Sequence, residues 1–450
     1  MYTHVVNVLL TSIGTAGDVY PFIGLGIALR RRGHRATLLV NEHFKSLVTS
    51  NDLEFAPLGT AEEYHKALMD SQEYQKSLQD PKFWKQFDGV KTLVESICDT
   101  MRAQYDAVTQ RYEAGSTVVV ASGAGFGVRV AQEKFSIPVA TVVLQPAALR
   151  SAHAMPRVAG APYLPRWLPP FSKRFFFRFA DVILDRLFHA PEVNAFRAEL
   201  GLPEVRRMMK DWWLSPQRVI TLFPDWFCER QPDWPESLRM TGFPLYDGQA
   251  DDAALPEDVR SFLDQGEPPI VFTPGSGMMQ GHMFFQTGAD ACKLLGARGV
   301  FLTRHLDQIP RSLPESVRHF SYVPLSRLLP RSSALVHHGG IGTLSQAMGA
   351  GIPQLIMPMA YDQPDNAARI RKLGVGDWLK PKAFRAEAVA NKLERLTRSP
   401  EVAERCRSIA GRVDGGRAID QTCDLIEDLA ARRASTTNKS SRFVSVESTS

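Results

Sequence analysis

The chain predicts an α/β protein of two doubly wound domains, and three observations carry that expectation. Apolar runs of strand length alternate with amphipathic segments through both halves, the pattern of parallel sheets covered by helices on both faces. At 450 residues the chain exceeds what one hydrophobic core supports, so two domains of about 200 residues are expected. Between the two series of runs, residues 236–256 are rich in proline and acids and read as a linker.

In the first half the strand runs are residues 5–10, Ala36–Val40, Thr117–Ala121 and Val139–Val143. In the second they are Pro269–Thr273, Gly299–Leu302, residues 334–336 and residues 354–357. Each half therefore reads as its own Rossmann-like domain, the first over residues 1–235 and the second over 257–415. Residues 416–433 predict a closing helix. Residues 434–450, rich in serine and threonine with few apolar anchors, read as a disordered tail.

Composition narrows the class. A hydrophobic fraction of 44% with 22% charged residues excludes a disordered chain. The net charge of +5 is spread over the whole length, so no nucleic-acid partner is expected. Cys98, Cys228, Cys292, Cys406 and Cys423 are odd in number and scattered, which argues against disulfides and CxxC metal sites and for a reducing compartment. No apolar run reaches the roughly 18 residues of a membrane span, and the first strand lacks the basic flank of a signal peptide. The expectation is a cytoplasmic protein, with a peripheral contact at the inner membrane surface as its closest approach to lipid.

The chemistry concentrates in His337-His338-Gly339-Gly340-Ile341-Gly342-Thr343, which follows the apolar run Ala334-Leu335-Val336. Glycines let the backbone approach an anion, Thr343 offers a hydroxyl, and Leu344–Met348 reads as a helix whose positive N-terminus faces the ligand. Next come the Gly351-x-Pro353 step, a second buried strand and Asp362-Gln363-Pro364-Asp365-Asn366-Ala367. Polar clusters at successive strand ends suggest one crevice.

These motifs resemble the donor-binding signature of family 1 glycosyltransferases, and the similarity runs the length of the chain. Gly14–Phe22 resembles the sterol glucosyltransferases and, with Met240–Gly248, the rhamnolipid-forming rhamnosyltransferases. The resemblance implies a GT-B fold, two Rossmann-like domains facing each other across a cleft, with the closing helix crossing back to the N-terminal domain. It assigns His338, Gly340, Gly342 and Thr343 to the diphosphate, Asp362 and Gln363 to the sugar hydroxyls, and Tyr322 and Val323 to the segment flanking the base. Ser276, in Thr273-Pro274-Gly275-Ser276-Gly277, is a further expected phosphate donor. For Tyr322, core packing is an equal alternative. His337 reads as structural, His34 as a turn residue, and Asn366 as a support for its loop.

Asp18 has three readings. Gly14 and Gly17 after a strand, with Glu42 beyond the next, imitate a dinucleotide fingerprint; the spacing is incomplete, and Asp18 would oppose a pyrophosphate. An aspartate here is also a natural helix cap, for a helix beginning near Pro21. The resemblance supplies the third: many relatives carry a histidine in Gly-His-Val-x-Pro, where this chain has Gly17-Asp18-Val19-Tyr20-Pro21. A carboxylate shares with imidazole the competence to act as general base.

The acceptor side is expected in the first half. Residues 163–188 combine aromatics, prolines and cations, and Trp167, Phe171 and Phe175 are candidate acceptor contacts at a lipophilic mouth that grazes a membrane; the alternative is a helix packed on the sheet. The resemblance thus implies an inverting transfer of a hexose from UDP-glucose or dTDP-L-rhamnose to a hydroxyl of a lipid, sterol, polyketide or flavonoid. Neither cofactor nor metal is expected, because helix amides and His338 supply donors for the leaving diphosphate. A nucleotide-sugar epimerase of the same architecture and a non-catalytic partner of another transferase are the alternatives.

Overall fold

A computed structural model describes the protein except residues 1–4, 78–94, 96, 160–162, 166, 187–189, 249–254, 276–280 and 445–450. Runs of valine, leucine and isoleucine, buried on both faces, form two all-parallel sheets. The first contains β1 (Asn7–Thr11), β2 (Arg35–Val40), β3 (Glu54–Pro57), β4 (Thr117–Ser122), β5 (Val139–Val143), β6 (Arg218–Thr221) and β7 (Leu238–Met240), in the order β3-β2-β1-β4-β5-β6-β7. The second contains β8 (Ile270–Thr273), β9 (Gly299–Leu302), β10 (Val317–Phe320), β11 (Ala334–His337), β12 (Gln354–Ile356) and β13 (Gly376–Trp378), in the order β10-β9-β8-β11-β12-β13.

All eight strands expected from the apolar runs are present. The five others are the four sheet edges, β3, β7, β10 and β13, and the four-residue β6. Edge strands are short and carry polar residues, so they leave no continuous apolar run. One of them lies inside the expected linker: Leu238 pairs with Val219, and the chain leaves the first sheet only after Met240.

In each sheet the strand order reverses once, between β1 and β4 and between β8 and β11. There the flanking helices lie on opposite faces and the C-terminal strand ends open a crevice. The helices that shape these crevices are α1 (Ala16–Arg31), α2 (Pro170–Leu184), α3 (Ile341–Ala350), α4 (Gln363–Leu373) and the closing α5 (Gly415–Val444). The stretch expected as a tail from residue 434 thus begins as a continuation of α5, and its last residues, 445–450, lie outside the described residues.

Helix α5 packs on the N-terminal domain. Ile419, Cys423, Ile426 and Leu429 join the cluster formed by Val8, Leu10, Phe22 and Leu38. Arg32 binds Asp420 at 2.8 Å, Asp424 at 2.6 Å and Glu427 at 3.3 Å, and Arg218 reaches Asp428 at 2.6 Å. His34 does more than turn the chain. Its Nδ1 accepts from the Val6 N–H and its Nε2 lies 3.0 Å from Glu427, so the buried imidazole ties β1 to α5. All five cysteines are free and buried.

Because Ile426 is fully buried against strands more than 300 residues away in sequence, Ile426→Ala should destabilise the N-terminal domain by about 2–5 kcal/mol, the usual cost of such a cavity. Urea unfolding followed through the N-terminal tryptophans checks this; a loss below about 0.5 kcal/mol would mean that α5 is not part of that core.

Candidate active site

The N-terminal half of the site is the turn between β1 and α1. Gly14 has φ +127°, and a Cβ there would overlap the Asp18 carboxylate, so glycine is required twice over. Helix α1 begins at Ala16, not near Pro21, which stands inside the helix. Thr15 is its N-cap, and Asp18 Oδ2 accepts from the Thr15 N–H at 2.8 Å and its hydroxyl at 3.2 Å. The capping role is therefore real, and it occupies one oxygen. Oδ1 takes no hydrogen bond among the described residues. Burial raises the Asp18 pKa above the usual 3.8, against the pull of the Thr15 bonds; a carboxylate so placed is a stronger base than one in water.

The C-terminal half is built from the turns after β8, β11 and β12. Gly339 has φ +99°, which folds the backbone back over Ile356. His337 is buried and fixed: Nδ1 accepts from the Gly339 N–H at 3.1 Å, and Nε2 lies 3.0 Å from Gln354 Oε1. His338 is packed between glycines, with a Cβ on Gly275 or on Gly340 falling 2.5 Å from its ring. Burial lowers its pKa to about 4, so it is neutral near pH 7. Its Nδ1 is buried without a hydrogen-bond partner, an orphan that an incoming oxygen can satisfy. Gly340 caps α3 with no side-chain bond to the first amides, and Gly342 faces open space. Uncapped amides at a helix N-terminus form a ready anion site.

After β12 the chain passes Tyr361, held at φ +54°, a strained value for a tyrosine. Its carbonyl accepts from the Ala159 N–H of the other domain at 3.0 Å. Asp362 follows. Burial pushes its carboxyl up to about 7, and the negative charge of Asp18 adds to that rise. The charge of Asp365 adds to it as well, against the pull of the Asn366 hydrogen bond. Gln363 is spent differently: Oε1 accepts from the Met359 and Ala360 N–H groups at 2.7 and 3.0 Å, leaving the Nε2 protons free. Asn366 holds the loop as expected, donating to the Gly339 carbonyl at 2.9 Å and to Asp362 Oδ2 at 2.6 Å.

Tyr322 ties the C-terminal domain to the connecting segment, its hydroxyl donating to the Asp247 carbonyl at 2.7 Å, while Val323 is buried in the C-terminal core just past the end of β10. Ser276 lies outside the described residues. Trp167, Phe171 and Phe175 are largely exposed and share no hydrogen bond or ring contact with the cleft groups among the described residues. Arg304 did not stand out in the sequence. Its guanidinium lies 5.5 Å from the Tyr322 ring centroid, and its charge is felt by Tyr20, His43 and Tyr64 of the opposite domain. The available signal was its position just past the strand end Gly299–Leu302, beside the crevice.

Residues 8–154 match the glycosyltransferase family 28 N-terminal domain, and residues 300–413 match the C-terminal domain of erythromycin biosynthesis protein CIII-like proteins. The chain is 30% identical to O-mycaminosyltylonolide 6-deoxyallosyltransferase of Streptomyces fradiae, over 95% of this chain and 98% of that protein. It belongs to the GT-B glycosyltransferases. This glycosyltransferase shares its fold with VinC, solved in complex with dTDP, at a TM-score of 0.66 and 19% identity over 95% of this chain and all of that one. Spinosyn rhamnosyltransferase SpnG, solved with spinosyn aglycone, gives 0.62 at 17% identity over 94% and 99%. Among the described residues no helix is long and apolar enough to cross a membrane.

The raised Asp362 pKa has a thermodynamic consequence. The unfolded carboxyl ionises near 3.8 while the folded one holds its proton to about 7, so the folded enzyme loses stability from this group as pH rises through that window. Asparagine keeps the acceptor for Asn366 and does not titrate. The melting temperature of Asp362→Asn relative to the parent should therefore climb between pH 4 and 8. A difference that stays flat with pH would place the Asp362 carboxyl in ordinary solvent.

Proposed function

We propose that this glycosyltransferase inverts a hexose from a nucleoside diphosphate-sugar onto a hydroxyl of a hydrophobic acceptor, with Asp18 as general base and no metal. The observation that carries the reading is the buried Asp18 carboxyl at the strand-order reversal of its sheet, one oxygen held by Thr15 and the other without a hydrogen bond among the described residues. Asp18 Oδ1 takes the acceptor proton as the acceptor oxygen attacks the anomeric carbon. The bond from that carbon to the diphosphate breaks on the opposite face, and its electron pair leaves with the phosphate. One displacement inverts the configuration without a covalent sugar intermediate.

The departing charge meets the uncapped amides from Ile341 to Thr343, the Thr343 hydroxyl and the orphaned His338 imidazole, donors held in place before the reaction. Arg304, with no ion-pair partner among the described residues, adds a cation on the nucleotide side, where Tyr322 and the Val323 backbone flank the base. The Asp362 carboxyl and the free Gln363 Nε2 protons suit sugar hydroxyls. VinC and SpnG support the ligand classes: one was solved with dTDP and the other with spinosyn aglycone. They favour a thymidine-linked deoxyhexose such as L-rhamnose over UDP-glucose, and a polyketide over a sterol.

The deciding experiment is Asp18→Asn assayed for glycoside product with dTDP-L-rhamnose and a panel of hydrophobic alcohols. The amide keeps the cap acceptor for Thr15 and loses basicity, so kcat should fall at least about a hundredfold with nucleotide affinity and melting temperature nearly unchanged. Retention of more than about a tenth of turnover would remove Asp18 from the role. Nucleotide release without glycoside would point instead to chemistry on the donor alone.

Transfer should also survive excess EDTA, because the helix amides and His338 carry the charge that a divalent ion would otherwise neutralise. Activity lost on chelation and restored by magnesium, with the fold intact by circular dichroism, would assign Asp362 to a metal. Slight stimulation by magnesium fits the proposal, since the ion also sequesters released nucleotide in solution.

A further inference from the structure

Helix α2 turns a row of its apolar groups to solvent, while Phe176, Phe177 and Ile183 lie half-buried on its other sides. At about 100° per residue, Phe171, Phe175, Phe179 and Val182 share one face with Arg174 and Arg178. That face is turned to solvent: the four apolar side chains are 72%, 75%, 62% and 48% exposed, and both arginines are exposed. The inward side holds Lys173 and Asp181, each 1% exposed, with Asp181 paired to Arg150 at 2.6 Å. Trp167, 80% exposed, continues the stripe before the helix, and Arg186 continues its charge beyond it. Single exposed apolar residues are ordinary; a row of this kind marks a contact surface.

Charge selects what covers it. The acids near the stripe are withdrawn from it: Asp181 is buried, and the Asp185 carboxylate accepts from the backbone N–H groups of Arg207 and Met208. The outward face therefore presents aromatics and arginines without an anion. A second copy of the chain, meeting this face symmetrically, would set arginine against arginine. An anionic bilayer neutralises the cations, while phenylalanine and tryptophan enter the boundary between headgroups and acyl chains.

We propose that α2 docks this enzyme in the plane of an anionic membrane. The surface lies close to the chemistry along the chain: residues 151–165 lead into α2, and within them Arg157 and Ala159 donate backbone bonds of 3.0 Å to Asp365 and Tyr361 beside the sugar-side loop. Docking at α2 places that cleft margin near the lipid, where apolar acceptors partition. The proposal stands apart from the assignment of Asp18, since binding is read without turnover.

The test is sedimentation of the full-length enzyme with phosphatidylcholine vesicles, with and without phosphatidylglycerol, at low and high salt. Binding should require phosphatidylglycerol and weaken with salt. The Phe171→Ser, Phe175→Ser, Phe179→Ser triple variant should lose at least about tenfold in partitioning, and Arg174→Glu with Arg178→Glu should abolish the preference for anionic lipid. Circular dichroism and melting temperature should match the parent for both, because these side chains are exposed. Failure to bind either vesicle overturns the proposal, as does binding unaffected by the phenylalanine changes or equal on neutral lipid. A dimer in light scattering that the triple variant splits, without vesicle binding, assigns the stripe to a second copy.

Discussion

Two buried carboxyls, Asp18 after β1 and Asp362 after β12, impose the constraint on which the site depends. Burial disfavours the charge of both acids: it pushes the Asp362 carboxyl up to about 7, with the Asp18 charge a smaller contribution, and it raises Asp18 as well. Neither has a cationic partner in an ion pair among the described residues. Each is held by backbone and neutral donors instead, Asp18 by Thr15 and Asp362 by Asn366. A lysine or arginine in their place would stabilise the fold and lock both groups as inert anions. The arrangement keeps one oxygen of Asp18 free and its basicity high.

Glycine geometry makes that arrangement possible on both sides. Gly14 clears the space that the Asp18 carboxylate fills, and Gly275 and Gly340 bring the turns after β8 and β11 close around the His338 ring, whose Nδ1 is buried and unpaired among the described residues. Such orphaned groups are costly in a folded protein. Here the cost falls on a loop at the N-terminus of an uncapped helix, where the proposed anionic ligand would satisfy the imidazole and the amides together.

The two domains are held in register by pieces that are distant in sequence. Helix α5 leaves the C-terminal domain and completes the N-terminal core, with Arg32 and His34 gripping its acidic face. Tyr322 reaches the connecting segment at Asp247, and Ala159 reaches Tyr361. The cleft width therefore depends on α5 and on a few backbone bonds, while the exposed face of α2 is left free of these ties.

The sequence by itself determined the fold class, eight of the strands, the glycine-rich turn after β11 and the structural parts of His337 and Asn366. These follow from local rules: buried parallel strands read as continuous apolar runs, and phosphate turns require glycine at particular places. Tertiary structure decided the rest. Edge strands were invisible because they are short and half polar. His34 looked like a turn residue because its partner, Glu427, is nearly 400 positions away. Asp18 could be read as cap or as base, and only the fold shows one oxygen capping and the other free. The aromatic run after Tyr163 left the rotation of its helix open; burial of Lys173 and Asp181 fixes that rotation and turns Phe171, Phe175 and Phe179 outward. Periodicity states which residues share a helix face; only packing states which way that face looks.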